Sequence, residues 1–149
     1  MKKLILLTLI VILTACSSLG TSEFARNKTK WEGAKITHYR YNLSIGCFCA
    51  FRDDMPLTIE VKDGKTVSIT NAKGAVVDSS NPSAELYVPY STVDGVFVKL
   101  EDDLAADPDQ ITVDYDPTNG YPAQVYIDYI SAAADDEISY EITNFEILK

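Results

Sequence analysis

Leu4 to Leu13 form an apolar run near the amino end, interrupted only by Thr8 and set between Lys2-Lys3 and the small residues that lead to Cys16. Residues 17–25 are mostly small and polar. Between Arg26 and Thr37, Trp31, Ala34 and Ile36 stand among lysines, which predicts a short amphipathic helix anchored by Trp31. From His38 the period falls to two: Tyr39, Tyr41, Leu43 and Ile45 alternate with Arg40, Asn42 and Ser44, the pattern of a half-buried strand. Residues 57–61 and 66–70 are β-branched alternating runs on either side of Asp63-Gly64, a hairpin signal. Residues 71–90 lose all period and carry Gly74, Pro82 and Pro89, predicting a long loop or lid.

Helical spacing returns with Val93, Val96, Phe97, Leu100 and Leu104, behind Ser91 or Thr92 as N-cap and with Asp94 in the first turn. Glu101, Asp102 and Asp103 are expected on its solvent face, and Asp107-Pro108 ends it. Alternation then covers residues 111–115, 121–129 and 138–147, with Asp116 to Gly120 as a turn. The order helix, strand, hairpin, loop, helix, hairpin, strand predicts an α+β fold, an antiparallel sheet with two helices packed on one face. One domain over residues 26–149 accounts for all of it. Two hairpins, at 57–70 and 111–128, each follow helix-bearing sequence, so a degenerate tandem repeat is compatible with the pattern.

The amino end is an address rather than part of the fold. Its apolar run is about half the roughly 20 residues that a spanning helix needs, so residues 1–15 read as a secretory signal. Leu13-Thr14-Ala15-Cys16 is a lipobox: small residues before the cut, then a cysteine whose thiol takes the lipid. The expectation is a lipoprotein anchored through Cys16, with residues 16–25 as a lipidated tether. Ser17 stands where an inner-membrane retention signal would place Asp, which favours the outer membrane facing the periplasm in a Gram-negative host. Cleavage removes Lys2 and Lys3 and no acid, leaving 11 basic against 22 acidic residues, a charge of −11. Such a surface repels nucleic-acid phosphates and admits a cationic partner.

Several local patterns, taken together, resemble a known group. Trp31, Tyr39-x-Tyr41, Cys47-Phe48-Cys49, Val61-Lys62-Asp63-Gly64, Tyr115-Asp116-Pro117-x-x-Gly120-Tyr121-Pro122, Ile127-Asp128 and Asp135-Asp136-Glu137 resemble small bacterial envelope lipoproteins with a domain of unknown function, family 6174. The resemblance covers nearly all of the mature chain and rests most on the Cys-x-Cys and Tyr-Asp-Pro-x-x-Gly-Tyr-Pro segments. It implies an envelope lipoprotein without an assigned activity, so no catalytic residue is carried over.

Cys47 and Cys49 lie two residues apart in an exported chain, where thiols meet oxidising chemistry. On a regular strand their side chains stand about 6–7 Å apart, against the roughly 3.8 Å between Cβ atoms that a disulfide wants, so a bond requires a bend, which Gly46 permits. An intrachain disulfide, two reduced thiols, and a redox or metal role all remain open. His38 is the single histidine and reads as an ordinary strand residue. Asp114 to Gly120 imitates a calcium loop, but Pro117 interrupts it and Val125 stands where the closing glutamate belongs.

Gly-x-Ser-x-Gly, His-Glu-x-x-His and phosphate-binding glycine loops are absent from the sequence, so no catalytic residue, cofactor or metal is expected. Tyr87, Tyr90, Tyr121, Tyr126 and Tyr129 are the expected binding surface, toward another envelope protein or a glycan; strand packing is the competing use. The functional expectation is a non-enzymatic binding or scaffold module, with thiol redox or stress sensing by Cys47 and Cys49 as the alternative.

Overall fold

The computed structural model describes residues 17–49 and 51–149, with side chains of the first helix from residue 22 on. The expected signal, its expected cleavage site and Cys16 lie outside these residues. α1 runs Ser17–Ala34, followed by β1 (His38–Gly46), β2 (Leu57–Lys62) and β3 (Lys65–Thr70). A one-turn helix α2 (Ala84–Tyr87), the helix α3 (Val93–Ala105) and strands β4 (Gln110–Tyr115), β5 (Pro122–Asp128) and β6 (Ile138–Ile147) complete the chain. The six strands form one sheet in the order β3-β2-β1-β6-β5-β4, with every pair antiparallel. The fold is therefore α+β, as the periodicity predicts.

Local chemistry explains the turns and caps. Asp63 and Gly64 both have positive φ, at 50° and 72°, the geometry that matches strand twist in a two-residue hairpin. Thr92 caps α3, its Oγ1 accepting from Gly95 N at 2.9 Å. At the other connection Asp116 Oδ1 accepts from Thr118 N and Asn119 N, and Gly120 turns the chain at φ 84°. An added Cβ on Gly120 would meet Asn27 O of α1 at 2.6 Å, so this turn must be glycine to approach the helix.

Alternation puts Tyr39, Tyr41, Leu43 and Ile45 of β1, Leu57, Ile59 and Val61 of β2, Val125 and Ile127 of β5, and Tyr140 and Ile142 of β6 into the core. Val93, Val96, Phe97 and Leu100 of α3 and Trp31 of α1 cover that face. Trp31 stands edge-on to Tyr39 (5.4 Å), Phe145 (5.9 Å) and Tyr121 (6.2 Å), while its Nε1 donates to Asp94 Oδ1 of α3 at 3.0 Å. One side chain thus ties both helices to the sheet. The other face of β1 carries Arg40, Asn42 and Ser44 and is solvated.

Three expectations need correction. The stretch read as a tether is helical from Ser17, and Phe24 packs edge-on against Phe97 at 5.8 Å, so the domain begins before Arg26. The segment 71–90 is not a free lid. Asp54 Oδ1 accepts from Asn71 Nδ2 (3.0 Å) and Asp54 Oδ2 from Tyr87 Oη (3.0 Å) and Asn81 Nδ2 (3.4 Å), while Val77, Tyr87 and Tyr90 are buried. The internal correspondence also differs. The sheet consists of two three-stranded meanders side by side, β1-β2-β3 and β4-β5-β6, each following a helix, so β2–β3 corresponds to β5–β6 rather than to β4–β5.

Candidate interaction site at the disulfide-bearing end of the sheet

β1 ends at Gly46, and the next three residues close on themselves: Cys47 and Cys49 are disulfide-bonded, with Cα atoms 5.2 Å apart. That spacing lies well within the reach of a disulfide, so leaving strand geometry after Gly46 supplies the bend the bond needs. Even-numbered residues of β1 point away from the helices. Phe48 is 86% exposed, carried at the tip of the loop.

The strand register places a row of residues beside it. Gly46 pairs with Ser139 of β6, and Ser139 pairs with Tyr126 of β5. All three belong to the solvent side of the sheet, and Gly46 leaves room because it contributes no side chain. A Cβ there would come within 2.5 Å of Ser139 Oγ. The result is a shallow cleft of about 270 Å³ lined by Gly46, Cys47, Phe48, Tyr126, Ile138 and Ser139, with Asp135 and Glu137 on its rim.

The rim is more acidic than its lining alone. Asp128, two residues beyond Tyr126 on the same face, has its carboxyl held above the usual range by desolvation first and then by Asp136, Glu137 and Asp109. Tyr126 is likewise raised, by desolvation and then by Asp128, Glu137 and Asp136. One oxygen each of Asp128 and Asp136, the Oδ1 atoms, is shielded from solvent without a hydrogen-bond partner among the described residues. No group of histidines, cysteines and carboxylates among the described residues is arranged to hold a metal.

The tyrosines chosen from sequence divide. Tyr87, Tyr90 and Tyr121 are buried, which corrects their assignment to a binding surface, and Tyr129 is half-buried. Tyr126 alone among the five is exposed and stands in the cleft. The buried ones serve packing and hydrogen bonding. Tyr121 stacks on Phe145 at 4.6 Å, Tyr90 O accepts from Tyr41 Oη at 2.6 Å, and Tyr87 donates to Asp54.

Asp103 was expected in solvent and is 3% exposed. Its Oδ1 accepts from Tyr129 Oη at 2.6 Å and is paired with Lys99, and its Oδ2 accepts from Tyr140 Oη at 3.3 Å. Burial first, and Asp103 second, push the Tyr140 hydroxyl far above its ordinary range. The sequence did carry a signal: Asp103 lies seven residues after Val96 and three after Leu100, on the apolar stripe of α3. Phe48 is the opposite case, an apolar residue beyond the end of β1 that is exposed.

No curated protein and no solved structure matches the chain. The model of a family of unknown function matches residues 23–147, and the chain therefore belongs to that family, DUF6174.

Proposed function

We propose that this protein is a bacterial envelope lipoprotein, anchored through lipid on Cys16, whose domain is a non-enzymatic binding module working through the Phe48–Tyr126 cleft. The observation that carries the reading is the display of Phe48. Leaving a phenylalanine in water forgoes about 2 kcal/mol that burial would return. Here a disulfide holds it in place, so little order has to be imposed on binding. The buried carboxylate Asp103 and the half-buried Asp54 support the non-enzymatic part, because their oxygens are engaged by tyrosines, asparagines and Lys99 of the fold itself. The lipobox and Ser17 support an address at the outer membrane, facing the periplasm.

A photo-crosslinking amino acid in place of Phe48, activated in living cells, tests the binding reading. The expected result is one discrete adduct that is missing when the same group replaces Thr143, an exposed residue of β6 away from the cleft. Adducts equal at both positions, or none, would remove the cleft as the working surface. Cys16→Ala should move the protein from the membrane fraction to the soluble one; retention in the membrane would remove the lipid anchor.

Thiol redox is the second reading, and the closed Cys47–Cys49 bond is what favours it. Reactive thiols sit in electropositive surroundings, however, and the charged residues lining the cleft beside Cys47 are Asp135 and Glu137. An unchanged oxidant response after both cysteines become serine would eliminate it.

A further inference from the structure

We infer that the cleft takes an arginine-bearing segment of a partner protein, with an apolar side chain of that segment against Phe48 and Tyr126 and a guanidinium between the rings and the acidic rim. The inference rests on the proposed binding role of the cleft and names what it binds.

Charge balance favours this occupant. Two acids elsewhere on the open face have basic neighbours: Arg40 pairs with Glu146 at 2.7 Å and His38 hydrogen-bonds Glu60 at 2.9 Å. None of the ion pairs among the described residues includes Asp128, Asp135, Asp136 or Glu137. No lysine or arginine lines the cleft. Asp135 and Glu137 thus line one aromatic cleft without a cation, and Asp128 and Asp136 lie close enough to act on its Tyr126.

The aromatic part selects among cations. A guanidinium is planar, weakly hydrated and able to stack on an exposed ring while its N–H groups reach a carboxylate; an ammonium is compact and more strongly hydrated. Phe48 offers a fully accessible face, and Tyr126 a second beside the rim. A neutral glycan would use the rings but draw little from the acids, and an anionic glycan would be repelled.

The test measures fluorescence anisotropy of a labelled, blocked Arg-Leu-Arg-Leu-Arg peptide against the purified full chain in detergent. Three comparison probes are the Lys and Glu counterparts of the peptide and unlabelled chitotetraose as competitor. Saturable binding of the arginine peptide is expected, several-fold weaker for the lysine peptide and absent for the glutamate one. Phe48→Ala should weaken it about tenfold and the pair Asp135→Asn with Glu137→Gln about fivefold, since rim charges each contribute modestly. These side chains are exposed, so an unchanged melting temperature shows that the variants fold.

Equal affinity in the variants would mean that the peptide sits elsewhere on the acidic surface, and the inference fails. Displacement by chitotetraose, or no binding of any peptide, also overturns it. The position-48 adduct in cells separates the two levels: an adduct that persists in the charge variants keeps the binding module and discards its basic partner, whereas loss of every adduct discards both.

Discussion

Removing the Asp103 carboxylate should cost more stability than any change in the exposed acids around it. The side chain is 3% exposed and accepts from two tyrosine hydroxyls, on different oxygens. Tyr140 is buried, so its orphaned hydroxyl costs about 2 kcal/mol; half-buried Tyr129 can turn toward water and costs about 1. Lys99 is partly exposed, so its ammonium regains solvent and adds little. Asp103→Ala is therefore expected to lose about 3 kcal/mol, which for a domain of this size lowers the melting temperature by about 10–15 °C. Asp103→Asn keeps one acceptor oxygen and offers an amide to the other hydroxyl, so it should lose about 1 kcal/mol. Urea titration followed by tryptophan fluorescence reads both, and an unchanged m-value shows that the denatured state is not responsible. A loss below about 1 kcal/mol for alanine, or equal losses for alanine and asparagine, would refute the buried-acceptor argument.

Gly120→Ala should destabilise by about 2–4 kcal/mol in the same assay, since φ 84° and a Cβ 2.6 Å from Asn27 O both oppose a side chain. Asp128→Asn should stabilise at pH 7. The raised folded-state carboxyl of Asp128 means that ionisation opposes folding above that value, so the gain should vanish once pH falls below about 4, where the unfolded group is also protonated; equal gains at pH 3 and pH 7 in thermal melts would contradict the linkage. Cys47→Ser with Cys49→Ser removes a very short loop and should cost about 1.5 kcal/mol by loop entropy. Mass after alkylation should show blocked thiols that reductant frees. Burial pushes Tyr39, Tyr87, Tyr90, Tyr115 and Tyr121 up to about 12, so stability should fall as pH rises from about 10 toward 12. Absorbance at 295 nm should report fewer ionised tyrosines at pH 11 in buffer than in urea.

Strands and α3 were legible because their burial is periodic: each alternate residue of β1 from Tyr39 to Ile45 enters the core. The Asp63-Gly64 turn was legible because positive φ at two successive residues demands such a pair. The first half of α1 was not. Its small polar residues carry weak helical pattern, and Phe24 is fastened by a contact to Phe97, 73 residues away. The tyrosines misled for a related reason. The hydroxyls of Tyr87 and Tyr129 find acceptors in Asp54 and Asp103, partners from distant segments that no local window contains, so these rings can enter the fold without leaving a polar group stranded. The cleft was half visible: Tyr126 and the acidic turn were noted separately, but only the register Gly46–Ser139–Tyr126 brings them to Phe48.

The helical start of the domain bears on how an anchored form would work. A flexible tether would let the domain drift and turn above the bilayer. With α1 beginning at Ser17 and packed into the core at Phe24, about 10 Å of helix separates that core contact from the residue after Cys16. Lipid on Cys16, as proposed, would then hold the domain close to the membrane and limit its tilt. A surface with a charge of −11 is repelled by anionic head groups, so the acidic cleft should face away from the lipid and toward the compartment. In such an arrangement the partner must approach the bilayer to be bound, because the anchored domain has little slack with which to reach outward.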